Sequence, residues 1–459
     1  MPKMQSTNVN SCISRASLFG PILDAGCTSF RIQNRPWKGD VVVSCSREWG
    51  DLNWDRYMHD FCSYSVLDPE VALIGHEETG KLFERAGLAE YLNRVCADVV
   101  EHGLELVEGW ALAECDVRFL HVAHSSWRGA RNRLYPLTIG ATRRYDPERD
   151  EAEVLREAFR MARAMAFKSA AIRLPFGGSA NVVVAPPIGT DDEEVTGFLA
   201  YAIDRTRSLS GPELGLTLDL VDVVNSRYSP NLRGSTSGSV GLGGTHTAYS
   251  TMQALRIACG RVFGRESVAG LTVGVMGLGS VGRAICELLL AEGAALVVAD
   301  ARDEAVRALL SDYPPARGHS IQSVSPFDIV CWPVDILVPA AVGGVVTEAT
   351  IPEMKCRILV GSANNALAAT DDEDELRLAD LLQARGILYQ VEWVHNVGGI
   401  LSAIEGYTSG DTATPDDVRR RIDELVPAAT HRNFDEAEKR GVTPSAVAYE
   451  RAREWLLSV

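Results

Sequence analysis

Apolar positions change their period several times along the chain, and the changes mark elements. In "TGKLFERAGLAEYLNRVCADVVEHG" (79–103), Leu82, Ala86, Ala89, Leu92, Cys96 and Val99 recur at helical spacing and predict a helix. From 116 onward the pattern alternates between two types. "VRFLHVAHS" (117–125) reads as a strand and "DEAEVLREAFRMARAMAFKSA" (150–170) as a long amphipathic helix. "ANVVVAPP" (180–187) is a β-branched strand stopped by Pro186 and Pro187. A glycine- and serine-rich stretch, "SPNLRGSTSGSVGLGG" (229–244), separates these from the helix "THTAYSTMQALRIACG" (245–260). It reads as a hinge or lid. Strands follow in 271–300, "DILVPAAVGG" (335–344), "CRILVGSANNAL" (356–367) and "GILYQVEWVHNVGGIL" (386–401), and then two or three helices over 402–459. Helices alternating with strands imply an α/β fold.

Composition narrows the classes. A chain of 459 residues exceeds what one core supports, so two or three domains are expected. Its formal net charge of -16 repels phosphate backbones and disfavours nucleic-acid partners. The ten cysteines form no CxxC pair and have no metal-ligand spacing with the nine histidines, which points to reduced thiols in the cytoplasm and to no metal. Neither a membrane-length apolar run nor a secretory signal is visible. Residues 1–20 are polar and read as surface-draped, while Trp49 and Trp54 in "REWGDLNWDRYMHDF" read as core anchors of a small accessory region, 1–115.

The most informative segment is "LTVGVMGLGSVGRAICELLLAEGAALVVADARDEAV" (271–306). It gives strand, glycine turn, helix and strand. The turn runs Gly277-Leu278-Gly279-Ser280-Val281-Gly282, and the second strand closes on Asp300, 18 residues after Gly282. The glycines permit a tight turn and close approach to a pyrophosphate. The helix start supplies N–H groups, Ser280 and Val281 among them, and the acid accepts ribose hydroxyls. Asp300 favours NAD, since a carboxylate repels a 2′-phosphate; Arg302 beside it leaves NADP as the lesser option. The later strands end in small or amide residues, among them Ala340, Ala363, Asn364 and Asn396. Such residues can contact a nicotinamide and its ribose without crowding the ring.

Between helix and strand lies "MAFKSAAIRLPFGGSANVVV" (165–184), where Gly177 and Gly178 suit close approach of backbone to a ligand. Taken in order, "GATR", "MARAMAFKSA…LPFGG", "THTAYS", "GLGSVG", "VPAAVGGVV", "GSANN" and "VHNVGG" resemble the glutamate/leucine/phenylalanine/valine dehydrogenases, most of all the leucine and phenylalanine branch. The resemblance covers about 116–459. It implies a two-lobed oligomer: a substrate and oligomerisation domain over 116–245, completed by 415–459, and a C-terminal Rossmann domain over 246–414. Residues 1–115 are extra.

The resemblance also implies reductive amination of a 2-oxo acid, or its reverse. Lys168 would pair with the substrate carboxylate, helped by Gly140, with Gly178 and Ser179 read as further substrate contacts. Thr247, Asp300, Asn364 and Asn396 fall where the family holds the dinucleotide. Two departures stand out. The family follows its double glycine with another glycine and a carbonyl-polarising lysine; this chain has Ser179 and Ala180. The family also carries a general acid/base aspartate at a strand end, and an ungapped reading of "LTLDLVDVV" (216–224) puts Leu220 there, with Asp219 and Asp222 as the nearest carboxylates. A preorganised cation beside a carbonyl is worth several kcal/mol to the transition state. The chain is therefore expected to act on a C–N bond already formed, as a biosynthetic NAD-dependent oxidoreductase of an amino or imino acid. The alternative is an inactive homologue that binds a dinucleotide or amino acid and regulates a partner. Arg173 and Arg143 are further candidate anion partners. His395 and His246 read more readily as core histidines than as proton donors.

Overall fold

The computed structural model describes residues 13–47, 73–233, 239–315, 318–341 and 343–457. Trp49 and Trp54 lie outside them, as does part of the 229–244 loop. The described residues form two compact units, one of 13–169 with 175–233, the other of 170–174 with 239–457.

The first unit is built on one eight-stranded sheet. Its strands are β1 (Ser29–Arg35), β2 (Asp40–Ser46), β3 (Leu73–Ile74), β4 (Leu106–Leu112), β5 (Val117–His124), β6 (Thr138–Tyr145), β7 (Gly177–Val184) and β8 (Ser208–Pro212). They lie in the order β3-β2-β1-β4-β5-β7-β6-β8. Only β6 runs parallel to its neighbours β7 and β8; the remaining pairs are antiparallel. The expected boundary at 115 is thereby corrected. β4 pairs β5 from Leu106↔Ala123 to Leu112↔Val117, so the extra N-terminal strands continue the same sheet and do not form a separate accessory domain. The predicted helix over 79–103 is also two helices, His76–Arg85 and Ala89–Glu101. Gly87 breaks it with a left-handed φ of 71°, which glycine adopts without strain.

All eight residues of β7 are buried, because both faces of the sheet are covered there. One face meets the helix Glu151–Ala171 so closely that a Cβ on Gly178 would land on the backbone of Ala162 and Ala166. The other face packs Phe119 and Val183 against Phe198 and Tyr201 of the helix Glu193–Thr206, and against Leu220, Val221 and Val224 of the helix Leu218–Arg227.

The second unit carries a six-stranded, wholly parallel sheet: β9 (Thr272–Met276), β10 (Ala295–Ala299), β11 (Ile321–Ser323), β12 (Ile336–Pro339), β13 (Ile358–Leu359) and β14 (Leu388–Tyr389). The order β11-β10-β9-β12-β13-β14 is the doubly wound 3-2-1-4-5-6 arrangement, with its switch point between β9 and β12. Its core joins Val273, Val275, Val298 and Ile336 to Leu255 and Cys259 of the helix Gly243–Phe263. The helices Pro415–Arg440 and Pro444–Leu457 belong to this unit, which corrects the expectation that 415–459 complete the first. Phe434 sits in the second unit's core, and Asp423 accepts hydrogen bonds from Tyr249 at 2.9 Å and Gln253 at 2.6 Å.

Within this unit two carboxylates share a buried patch. The Tyr389 hydroxyl lies 3.3 Å from both Glu375 and Glu392, and Tyr449 donates to Glu375. Burial, with the charge of Glu375, raises the Glu392 carboxyl to about 8. Among the described residues no helix is long and apolar enough to cross a membrane, and no cluster of His, Cys, Asp and Glu could hold a metal ion.

Candidate functional site

The glycine turn opens the first helix of the parallel sheet. Gly277 has a φ of 100°, and a side chain there would strike Ala341. A Cβ on Gly282 would land on the carbonyl of Gly277, so this glycine sets how closely helix and strand pack. Gly279 differs from both, because nothing lies within 4 Å of where its Cβ would stand. Close packing explains two of the glycines, and open space remains at the third, where a pyrophosphate needs bare backbone. Ser280 and Val281 follow as the first residues of the helix Ser280–Ala291.

Asp300 ends just beyond β10 with its carboxylate fixed. One oxygen accepts from the Leu278 N–H at 2.6 Å; the other accepts from the Arg302 N–H at 2.8 Å. Burial pushes this carboxyl up, but the two N–H groups and the Arg302 guanidinium outweigh it and hold it below the ordinary carboxylate range. A carboxylate so placed is charged at neutral pH and linked directly to the glycine turn. Arg302 itself is mostly exposed.

The residues beyond the other strands meet at one place. Ala340 stands 3.2 Å from the Cβ position of Gly282, and the Ala363 N–H donates to Pro339 at 3.1 Å. Asn396, 4% exposed, donates to Ser362 O and to Asn364 Oδ1, both at 3.2 Å. Its own Oδ1 is buried without a partner, an acceptor available to an amide donor such as a carboxamide. The Thr247 hydroxyl donates to Gly243 O at 3.0 Å and accepts from the Gly399 N–H at 3.1 Å, which ties two helix starts together. His395 is wholly buried against Gly361 O at 2.8 Å, and His246 is held by Val240 O at 2.7 Å. Both are core histidines.

In the first unit the geometry revises several expectations. Gly177 and Gly178 are glycines because the strand abuts the backbone of Ser125 and of the 151–171 helix. Gly140 is one because Ser179 crowds it. Ser179 is fully buried, with its hydroxyl 2.6 Å from that of Ser208. It belongs to a row of buried polar pairs that includes Thr142–Ser210 at 2.7 Å and His121–Asn181 at 2.8 Å. Burial lowers His121 to about 4, so it is neutral there. Ala180 is also fully buried, on the face of β7 that meets the 151–171 helix. Lys168 lies in the last turn of that helix, 8% exposed.

"LTLDLVDVV" is not a strand end. Thr217 caps the helix 218–227 by accepting from the Leu220 N–H, so Leu220 points into the core while Asp219 sits exposed in the first turn and Asp222 lies farther along. The nearest strand before it is β8, and the first carboxylate past its end is Glu213. Arg143 grips Glu213 at two points, one of them at 3.0 Å. Sequence reading missed Glu213; the pointer to it was "SLSGPEL", a short run ended by a proline and an acid.

A profile of glutamate/leucine/phenylalanine/valine dehydrogenases matches residues 238–456. The valine dehydrogenase of Streptomyces albus is 32% identical over 318 residues, covering 68% of this chain and 82% of that one. The chain belongs to the glutamate/leucine/phenylalanine/valine dehydrogenase family. The leucine dehydrogenase of Bacillus cereus is 30% identical over 275 residues, 58% of this chain and 70% of its own. Among solved structures, the L-tryptophan dehydrogenase of Nostoc punctiforme shares the fold with a TM-score of 0.61 at 23% identity, over 78% of this chain and 98% of that one. A hetero-hexameric glutamate dehydrogenase from Thermus thermophilus does so with 0.58 at 22%, over 74% and 83%. The family profile spans the parallel-sheet unit; Lys168, Ala180 and Glu213 lie ahead of its first matched residue.

Proposed function

We propose that this family member is an NAD-dependent oxidoreductase acting on the C–N bond of an amino or imino acid, or a related compound, in biosynthesis. The observation that carries the reading is Asp300, a charged carboxylate bonded to Leu278 inside a glycine turn whose Gly279 faces open space. Together with the orphaned Asn396 Oδ1, these residues fit a dinucleotide that ends in a carboxamide. The bound NAD would supply or take the hydride. Asp300 would select ribose hydroxyls over a 2′-phosphate, and Asn396 would orient the carboxamide.

Lys168 is assigned the substrate carboxylate. Ala180 puts a buried methyl where the family places its carbonyl-polarising lysine, so attack of ammonia on a 2-oxo acid lacks its electrophilic help. Reduction of an imine already formed, or oxidation of the matching amine, requires less: orientation and one group to handle a proton. Glu213, held by Arg143 at the end of β8, is assigned that proton in place of Asp219 and Asp222. The enzyme is read as a cytoplasmic homo-oligomer; the eight described cysteines are all free thiols.

The test pairs calorimetry with turnover. NADH is expected to bind more tightly than NADPH, and Asp300→Ala to weaken NADH at least about tenfold, or about 1.4 kcal/mol. Oxidation of NADH is expected with preformed cyclic imines and not with ammonia plus 2-oxo acids. Unchanged NADH affinity in Asp300→Ala would remove the ribose assignment. The buried Ala180 also favours a second reading, a dinucleotide-binding regulatory homologue, which predicts intact NADH binding with no turnover of any imine or oxo acid.

A further inference from the structure

Three arginines converge on one cavity of the second unit, and none of them has a salt-bridge partner among the described residues. The cavity, of about 200 Å³, is lined by Arg173, Arg432 and Arg451, with Trp393, Trp455 and Glu454 beside them. Neither the glycine turn nor Lys168 lines it. Among the described residues, no carboxylate oxygen comes within 4.0 Å of any of the three guanidinium groups, although 19 other described basic residues make at least one such contact. In a chain of net charge -16 this is a local reversal of sign.

The cluster is held in place by structure, at a cost. Arg173 takes a left-handed φ of 57°, a conformation that non-glycine residues seldom adopt. Its neighbour Leu174 accepts a hydrogen bond from the Trp455 indole at 3.4 Å, which fixes this segment against the last helix. Trp393 is stacked edge-on against Tyr449 at 5.3 Å between centroids. Arg432 and Arg451 are half-buried. Burial first, and then mutual repulsion among the three, lowers both guanidinium groups, with Glu454 and Glu436 partly offsetting this at Arg451. The half-buried Arg432 and Arg451 and the exposed Arg173 line one cavity together with no carboxylate in salt-bridge reach among the described residues.

We propose that this cavity is a binding site for a small phosphate monoester, separate from the dinucleotide turn. Three cations against one carboxylate, Glu454, leave a surplus of two positive charges. A phosphate monoester carries close to two negative charges at neutral pH, with three terminal oxygens for the planar guanidinium forks. A monocarboxylate such as an amino acid neutralises only half of the surplus. The two indoles supply apolar walls for the body of the ester, and 200 Å³ admits a compact molecule and no polymer.

Inorganic phosphate titrated calorimetrically into the full-length protein at constant ionic strength tests the site. The expected result is a Kd below about 1 mM at pH 7.5, no binding of acetate, and affinity that falls as the pH drops through about 7, where inorganic phosphate loses its second charge (a monoester does so about one unit lower). The double variant Arg432→Gln/Arg451→Gln is expected to lose at least tenfold in phosphate affinity while its separately measured NADH affinity is unchanged. Should that variant fold poorly, Arg173→Gln alters an exposed side chain and is expected to weaken phosphate severalfold with no change in melting temperature. Absence of binding overturns the proposal. So does binding of equal strength in the folded variants, which would belong to the glycine turn.

Discussion

Ala180 and its neighbours show how much one strand constrains chemistry. A lysine at 180 is the obvious attempt to restore the family's cation. Ala180 is fully buried on the strand face that meets the helix 151–171, so an ammonium placed there has to leave water. Ala180→Lys is expected to cost several kcal/mol, seen as a lower melting temperature, and not to confer ammonia-dependent reduction of 2-oxo acids. A variant that melts like the wild type and aminates would show that the pocket needs only the charge. Gly178→Ala probes the packing alone: its Cβ meets the Ala166 backbone, and a loss of about 3 kcal/mol or more is expected in denaturant titration. At this scale the glycine turn and the acid bonded to it were legible, because glycine spacing and a strand-closing acid are local features. Ser179 and Gly178 were misread, because a buried hydroxyl pair and a helix–strand contact depend on residues distant in sequence, Ser208 and Ala166. Glu213 was hidden for the same reason. Its importance follows from where β8 ends and from Arg143, 70 residues away.

Among elements, the long helices and the parallel strands followed their periodicity. The segment 216–224 did not, since Val221, Val223 and Val224 favour a strand while the apolar set 220, 221 and 224 has helical spacing; the Thr217 cap decides the matter. Where β14, the helix Asp372–Ala384 and the helix Pro444–Leu457 meet, the buried Glu392 links packing to pH. Its folded carboxyl binds a proton up to about 8, whereas an unfolded one releases it near 4.5. Between those values the native state holds more protons than the unfolded state, so stability falls as the pH rises from about 5 to 8. Glu392→Gln is expected to flatten that part of the melting-temperature profile and to raise the melting temperature at pH 8. An unchanged slope would place the titration elsewhere.

For the whole molecule, size and alternation gave two units, and the parallel sheet fell within the predicted dinucleotide-binding half. The errors lay at the seams. The terminal helices pack into the second unit through contacts such as Tyr249–Asp423 that no local pattern announces. Likewise, nothing local in residues 29–46 marks β1 as the partner of β4 or β2 as the next strand of the same sheet. That partnership bears on anyone who trims the gene to the part with recognisable relatives. Cutting at 116 strips four strands and lays bare the backbone of β5 from Val117 to Ala123, a ready seam for another copy. Such a shortened protein should come out of the cell as inclusion bodies, whereas the intact one stays in the supernatant.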